Sequence, residues 1–335
     1  MVTTDAATVP ADELDALALE AGFSGVVRLA GAGGTFARSY GLADRAWEIP
    51  NTVETRFATA SGTKSFTALA IMGLIEEGRL ALGTTARSVL GADLPLIADD
   101  VTVEHLLAHR SGIGDYFDDD ADLTAYLLPV PVHELHFTES YLAVLDGFET
   151  RFAADADFSY CNGGYVVLAL IAERVAGEPF QELVQRRVFE PAGMRDSAFL
   201  RSDELPGRTA RGYLQVDGVW RSNVFHLPVR GSGDGGAYTT LADVGAFWEA
   251  LDAGRIVSRE SVAEMTRPRS SPGTMRYGLG FWLEADGDAV QLEGCDAGVS
   301  FRSVRSSSRG WTYTVLSNTT DGAWPLARFL RDHVG

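Results

Sequence analysis

SGTKSFTALAIMGLIEEG, residues 61–78, is the stretch that decides the fold of this chain. Between Lys64 and Glu76 it carries no charge, and it ends at Gly78, a pattern typical of a buried helix closed by glycine. Because positions three apart share one face of a helix, we expect the Lys64 amine to lie beside the Ser61 hydroxyl. The stretch therefore predicts a buried helix with a hydroxyl and an amine in its first turn.

This pair has a chemical use. A serine hydroxyl is a poor nucleophile without an adjacent base, and a lysine acts as a base only where burial or nearby cations disfavour its charged form. The positive end of a helix favours an oxyanion forming there, and its N–H groups can donate to that oxyanion. The alternative is a surface serine with a solvated lysine, which the apolar surroundings of Lys64 disfavour. The pattern predicts Ser61 as nucleophile and Lys64 as its base.

A second candidate element is FSYCNGGY, residues 158–165. In an extended segment alternate side chains share a face, so Tyr160 and Asn162 are expected to point together, away from Cys161. A phenol near a lysine can relay a proton, and an amide can hold both a lysine and a substrate carbonyl. The alternative is a tyrosine packed in a loop, with Asn162 starting a turn before two glycines.

In this order, Ser61-x-x-Lys64 and Tyr160-x-Asn162 resemble the motifs of the serine β-lactamase and penicillin-binding protein superfamily. The likeness is to its class C-like branch, which also holds DD-peptidases, esterases and amidohydrolases. Two longer stretches agree: VEHLLAHRSGI at 103–113 and GDGGAYTTLAD at 233–243. The resemblance runs from about residue 20 to the end of the chain. It implies a β-lactamase-like fold and catalysis by the four motif residues.

The third family motif departs from the pattern. The family places Lys-Thr-Gly or His-x-Gly on the strand opposite the serine, whereas this chain has EGCDAGVS at 293–300. Cys295 stands where a cation is expected and Asp296 where a hydroxyl is common, and an aspartate would repel a substrate carboxylate. Asp296 is left open between a contact to a substrate amine and an ion pair with an arginine, and Cys295 is interpreted as a small apolar strand residue. By analogy, the N–H groups of Ser61 and Gly298 would form an oxyanion hole, and the small residues at 297 and 298 would let a substrate lie close to the strand.

The predicted fold class is α+β, an antiparallel sheet flanked by helices with an inserted, mostly helical domain. Strand patterns at 23–29 and 36–42, and again at 277–283, 289–292, 299–304 and 311–317, indicate a sheet built from both ends of the chain, with GAGG at 31–34 as a hairpin turn. An amphipathic helix at 324–333 is expected to pack on it through Leu326, Phe329 and Leu330. The predicted domains are 1–74 plus 236–335 for the sheet and 75–235 for the insertion, with the active site between them.

Composition excludes some partners. With 46 Asp and Glu against 28 Lys and Arg, the net charge of −18 argues against nucleic acid. The acidic block at 115–122 is interpreted as a solvated loop, and the histidine pairs lack the context of a metal site, so neither metal nor cofactor is expected. Cys161 and Cys295 are expected to be free thiols. No apolar stretch suggests a signal peptide or a membrane helix, so the expected location is the cytoplasm.

These observations predict a serine hydrolase that acts through an acyl-enzyme on an ester or amide, as a carboxylesterase, a D-amino-acid amidase or a peptidase. The candidate substrate contacts are Tyr116, Tyr238, Cys295, Asp296 and Ala297. One alternative is a β-lactamase or DD-peptidase, which Cys295 and Asp296 disfavour. An alternative of another class is a protein without turnover, a ligand sensor or binding module on the same fold. The sequence does not predict an oligomeric state.

Overall fold

A computed structural model describes residues 9–117 and 121–334 of the chain. The helices in chain order are α1 Ala11–Glu20, α2 Thr63–Glu76, α3 Ala86–Leu90, α4 Val103–Leu107, α5 Leu142–Leu145, α6 Asn162–Ala176, α7 Phe180–Val184, α8 Glu190–Ala192, α9 Leu241–Ala253, α10 Arg259–Met265 and α11 Ala323–Val334. Short 3-10 turns cover Ala60–Gly62, Val132–Glu134 and Thr138–Tyr141, and a π-helical turn covers Gln185–Phe189.

The strands are β1 Gly25–Gly31, β2 Gly34–Tyr40, β3 Leu42–Asp44, β4 Ile49–Pro50, β5 Phe57–Ala58, β6 Tyr213–Val216, β7 Val219–Ser222, β8 Tyr238–Thr239, β9 Met275–Tyr277, β10 Trp282–Glu284, β11 Val290–Asp296, β12 Val299–Ser306 and β13 Trp311–Ser317. Seven of them form one sheet in the order β2-β1-β13-β12-β11-β10-β9, with every neighbouring pair antiparallel. The remaining pairs, β3-β4, β5-β8 and β6-β7, are two-stranded.

Both faces of the sheet are covered, which explains the nearly continuous burial of its central strands. Side chains alternate along β13, so that Tyr313 and Val315 enter a cluster with α1 and α11, while Leu316 enters the cluster on the opposite face. Leu326 and Leu330 of α11 are fully buried against the sheet, and Phe329 is partly buried. The final helix is thus confirmed, with one residue added at each end of the predicted range.

The sheet is assembled from the two ends of the chain, as predicted. β1 pairs with β2 through the two-residue turn Ala32-Gly33 and with β13 in the register Gly25 to Ser317. The single strand predicted at 277–283 is wrong. Gly280 has a φ of +85°, and the Gly278 N–H donates to the Phe281 carbonyl, so the chain turns there and separates β9 from β10.

Helix α2 lies in the centre of the second cluster. A helix that is apolar on every side must be covered on every side, and ten of its side chains between Lys64 and Leu74 are buried. Its Phe66 ring makes edge-to-face contacts with Phe189, at 5.1 Å between ring centroids, and with Phe247, at 5.3 Å. The start of α2 is therefore held rigidly against both the sheet and the inserted helices.

Residues 75–235 carry α3 to α8 and the hairpin β6-β7, and the segments on either side carry the large sheet. Because α2 packs against both parts, the exact boundaries 74/75 and 235/236 stay a prediction. Among the described residues, no helix combines the length and the apolar character needed to cross a membrane.

Gly294 of β11 provides a test of the contact between the sheet and the start of α2. A Cβ added there would lie 2.7 Å from the Ser61 nitrogen and 2.8 Å from the Gly62 nitrogen, where backbone cannot give way. We expect Gly294→Ala to lower the free energy of unfolding by about 1–3 kcal/mol, measured by urea denaturation.

Gly83→Ala is the matched control, because a Cβ there meets nothing within 4 Å. Equal stability of the two variants would contradict the close approach of β11 to Ser61.

Candidate active site

The segment before Ser61 is fixed by strand pairing with a distant part of the chain. β5 pairs with β8, and the Thr59 N–H and hydroxyl both donate to the Ala237 carbonyl at 2.9 Å. The Ala237 N–H in turn donates to the Thr63 hydroxyl at 3.0 Å. Ala60 takes a left-handed φ of +45°, which is uncommon for a residue with a side chain. These bonds carry the chain into the 3-10 turn that presents Ser61.

As a whole residue Lys64 is only 2% exposed, and its amine lies at the centre of the site. It contacts the Ser61 hydroxyl at 3.0 Å, the Asn162 side-chain oxygen at 2.7 Å and the Asp234 main-chain carbonyl at 2.8 Å. These are three acceptors for the three protons of an ammonium group. A neutral amine would keep two of the bonds as donor and accept the Ser61 proton in the third.

Asn162 begins α6, and a buried carboxylate holds it in place. Asp115 accepts hydrogen bonds from the Asn162 N–H at 2.6 Å and the Gly163 N–H at 2.7 Å. Burial raises the pKa of Asp115, although these N–H donors oppose the rise. The interpretation of Asp115 as part of a solvated loop is wrong, since its exposed fraction is 9%. Within that predicted loop, residues 118–120 lie outside the described residues.

Tyr160 lies in the extended segment before α6, and its ring covers the Lys64 amine at 4.8 Å from the ring centroid. His109 holds this segment at two points. Its carbonyl accepts from the Ser159 N–H at 2.9 Å and its Nδ1 from the Cys161 N–H at 3.0 Å. Burial, together with the Lys64 amine, holds the pKa of His109 well below its ordinary value, so the ring is a neutral support and packs 4.3 Å from the Tyr160 ring.

Residues 293–300, the third motif segment, form the wall opposite Ser61, and the direction of their N–H groups and side chains differs from the one predicted. β11 and β12 are joined by the two-residue turn Ala297-Gly298, and the Asp296 to Val299 pair closes the hairpin. In this register the N–H and carbonyl of Cys295 point away from β12, toward the edge where β10 has already ended. Gly294 and Asp296 share the face that meets Ser61, whereas the Cys295 side chain points to the other face.

The oxyanion role predicted for Gly298 is wrong. Its N–H donates to the Thr320 hydroxyl at 2.8 Å, and its positive φ of +73° serves the hairpin turn. The Ala297 carbonyl accepts from the side chain of Asn223 at 2.8 Å, and this residue of the cleft wall fixes the turn. The Cys295 thiol donates to the Thr320 carbonyl at 3.4 Å. Cys295 and Ala297, both predicted as substrate contacts, do not line the cleft.

An open cleft of about 810 Å³, its mouth included, lies over Ser61. Asp296, Tyr116, Tyr238 and Asn162 line it, and their predicted roles toward a substrate stay a prediction. The Tyr116 hydroxyl donates to the Asp234 carboxylate at 2.6 Å. Burial raises the pKa of Tyr238 to about 12, so its hydroxyl stays protonated at neutral pH.

The beta-lactamase family model matches residues 11–332, nearly the whole chain. The chain belongs to the beta-lactamase family. This confirms both the family resemblance and the β-lactamase-like fold class that the motifs predicted.

Three relatives illustrate the range of this beta-lactamase family. PbpX of Bacillus subtilis (strain 168), named as a penicillin-binding protein, is 29% identical over 79% of this chain and 63% of its own length. Esterase EstB of Burkholderia gladioli is 28% identical over 90% of this chain and 75% of its own. The crystal structure of a penicillin-binding protein from Bacillus halodurans superimposes with a TM-score of 0.90 at 34% identity, covering 95% of this chain and 99% of that one.

Both cysteines are free thiols, as predicted, with Cys161 buried and Cys295 exposed. The described part of the chain contains no group of three or more metal-ligating side chains arranged for an ion. His105 completes a capping box with Thr102 at the start of α4, and His109 supports the Tyr160 segment. The contacts of His105 and His109 are therefore structural.

Three residues of this beta-lactamase-family site were missed from sequence: Asp115, His109 as a support of Tyr160, and Asp234. Asp115 and Asp234 both lie in segments that the sequence analysis considered. The one sequence feature that set them apart from ordinary loop carboxylates is the glycine directly before each of them, Gly114 and Gly233. A glycine next to an acidic residue indicates a tight approach of backbone, and a carboxylate at such a point is often a hydrogen-bond acceptor for main-chain N–H groups.

Asp115→Asn tests the support of Asn162. The amide would turn an NH₂ group toward one of two N–H donors, leaving a buried donor without an acceptor. We expect a loss of about 1–3 kcal/mol in the free energy of unfolding, measured by urea denaturation, and a weaker reaction of Ser61 with a fluorophosphonate. Asp100→Asn, at an exposed loop position, is the control and should change neither. Wild-type behaviour of both variants would show that Asp115 does not position Asn162.

Proposed function

We propose that the chain is a serine hydrolase that acts through an acyl-enzyme on an ester or an amide. The observation that carries the proposal is the 3.0 Å contact between the buried Lys64 amine and the Ser61 hydroxyl. A lysine held at 2% exposure beside a serine, with its other partners fixed, is a geometry that nucleophilic catalysis needs and that packing alone does not. Membership of a family that includes esterases and penicillin-binding proteins supports it.

In the first half of the proposed reaction, the Ser61 oxygen attacks the substrate carbonyl and its proton passes to the neutral Lys64 amine. The negative oxygen of the tetrahedral intermediate is held by the Ser61 N–H and by the N–H of Cys295, which replaces Gly298 in this role. When the bond to the leaving group breaks, that group takes a proton from Lys64 by way of Tyr160, whose ring covers the amine.

In the second half, a water molecule loses a proton to the same Lys64–Tyr160 pair and attacks the acyl carbon. The bond between the acyl group and the Ser61 oxygen breaks, the serine regains its proton, and the carboxylic acid leaves. Asn162 takes part in both halves, because its side-chain oxygen at 2.7 Å sets the direction of the Lys64 amine. No step requires a cofactor.

The β-lactamase or DD-peptidase alternative requires a site for the substrate carboxylate. The described residues of the cleft wall offer Asp296 and Asp234 and no lysine or arginine side chain, which disfavours a carboxylate. An experiment can distinguish a hydrolase from the alternative without turnover, because a sensor would form an adduct without releasing product. The cytoplasmic location stays a prediction, supported by the two free thiols.

Intact-protein mass spectrometry after exposure to a fluorophosphonate tests the nucleophile. We expect one adduct on the wild type, none on Ser61→Ala, and a normal adduct on Ser308→Ala, which changes an exposed serine. Loss of the adduct in Ser308→Ala, or its persistence in Ser61→Ala, would contradict the assignment.

Turnover of p-nitrophenyl butyrate tests the base and the relay. Lys64→Met should lower kcat by at least about 10³-fold, because the serine loses its proton acceptor, and Tyr160→Phe by about 10²–10³-fold with little change in KM. A burst of p-nitrophenol without further turnover would support the sensor alternative. Penicillin turnover at the rate of the ester would support the β-lactamase alternative.

A further inference from the structure

Tyr160, whose ring covers the Lys64 amine, belongs to a closed circuit of four side-chain rings. Its ring centroid lies 4.3 Å from that of His109 and 6.1 Å from that of Trp282. Tyr277 completes the circuit, with its ring centroid 4.8 Å from that of His109 and 4.8 Å from that of Trp282. Stacked and edge-to-face ring contacts are favourable beyond the apolar area that they bury. The Tyr160 ring is therefore held by neighbours from two separate parts of the chain.

The main-chain contacts of this segment fix the backbone of Tyr160 but not its side chain. His109 accepts hydrogen bonds from the N–H groups on either side, those of Ser159 and Cys161. A tyrosine on a fixed backbone still has a choice of χ1 rotamers, and a different rotamer would carry the phenol oxygen away from the Lys64 amine. The position of that oxygen thus depends on the rings that pack against Tyr160.

Trp282 is the ring neighbour of Tyr160 that comes from the strand beside β11. It is the first residue of β10, where it pairs across the strands with Tyr277 of β9. Its ring is nearly parallel to that of Tyr160, with 13° between the two planes. Trp282 is half-buried, and it is not among the described residues that line the cleft over Ser61. The Trp282 ring therefore acts on the site through Tyr160 and not through a substrate.

The turn before Trp282 is attached to α2 next to Lys64. The Ser65 hydroxyl donates to the Gly280 carbonyl at 2.6 Å. Gly280 has a φ of +85°, and a Cβ added there would overlap the Ala68 side chain, so this turn lies directly on the helix. Because Ser65 follows Lys64 and Gly280 comes two residues before Trp282, the tryptophan and the amine are fixed relative to each other.

We propose that Trp282 is a positioning residue for Tyr160, whose phenol it holds where the proton relay with Lys64 needs it. This inference rests on the proposed hydrolase function, in which Tyr160 passes a proton between Lys64 and the leaving group. The stack joins the segment before α6 to the sheet, so the phenol and the amine keep one relative position although they lie far apart in sequence. A displacement of about 1 Å at such a group can lower the rate by about 10²-fold.

Turnover of p-nitrophenyl butyrate by Trp282→Leu tests the stack. We expect kcat to fall by about 10- to 100-fold, because the phenol is no longer held, and KM to change by less than about twofold, since the tryptophan does not touch the substrate. Trp282→Phe keeps a ring at this position and should retain kcat within about threefold of the wild type. A raised KM with unchanged kcat in Trp282→Leu would identify a substrate contact and overturn the proposal.

Trp311→Leu is the matched control. Trp311 is also half-buried and stacked on a tyrosine, Tyr313, with 5.8 Å between ring centroids and 16° between planes. It pairs with Ser306, at the end of β12 that lies away from the Ala297-Gly298 turn. Trp311→Leu therefore removes the same kind of stack at a distance from Ser61, and we expect it to leave kcat unchanged. An equal loss of kcat in Trp282→Leu and Trp311→Leu, with equal loss of stability in urea, would show a general effect on folding and contradict the positioning role.

The Tyr160→Phe background tests whether Trp282 acts through the Tyr160 hydroxyl. Once that hydroxyl is absent its position no longer matters, so Trp282→Leu should lower the residual kcat by less than about twofold. A loss as large as that in the wild-type background would mean that Trp282 acts independently of Tyr160, and the proposal would be wrong.

The single variants distinguish failure of this inference from failure of the proposed function. If Tyr160→Phe lowers kcat and Trp282→Leu does not, the relay stands and the role of Trp282 is wrong. If Tyr160→Phe keeps wild-type turnover, the relay is wrong and the role of Trp282 falls with it. If the ester is not hydrolysed and Ser61 takes no fluorophosphonate, the hydrolase function itself is wrong, together with everything that rests on it.

Discussion

The Lys64 amine connects three parts of the chain that are otherwise far apart in sequence. Its partners are Ser61 in the same turn, Asn162 at the start of α6 and Asp234 in the glycine-rich loop before β8. A buried amine left without acceptors is costly, so the three elements that supply them must stay together. The rest of the structure keeps each of these acceptors in place.

Each acceptor has a support of its own. Asp115 caps the start of α6 and so sets Asn162, while the β5-β8 pair ties the segment before Ser61 to the loop that carries Asp234. His109, neutral and buried, holds the segment of Tyr160 by its carbonyl and its ring. Because these supports come from different elements, loss of one is expected to displace one acceptor rather than collapse the site.

Local features were predictable from sequence, because they depend on helix periodicity and on short spacings. The Ser61–Lys64 contact is a consequence of one helical turn, and the order of motifs identified the family. Asp115 was not predictable, since its two bonds reach across 47 and 48 positions to α6. The prediction of Gly298 as an oxyanion donor was wrong for a related reason. The position of the two-residue turn sets the register of β11 and β12, and that register decides which N–H groups face the open edge of the sheet.

The pairing of β1 with β13 has a consequence for synthesis on the ribosome. The hairpin β1-β2 is complete once residue 40 has emerged, but its neighbour in the sheet begins only at Trp311. At the usual elongation rate of about 5–20 residues per second, the edge of β1 that will pair with β13 stays unpaired for roughly 14–54 s. During that time Val26 and Val27, fully buried in the final fold, lie on an unpaired strand edge that invites wrong partners. The nascent chain is therefore the form of this protein most exposed to aggregation, and the one on which a chaperone would act.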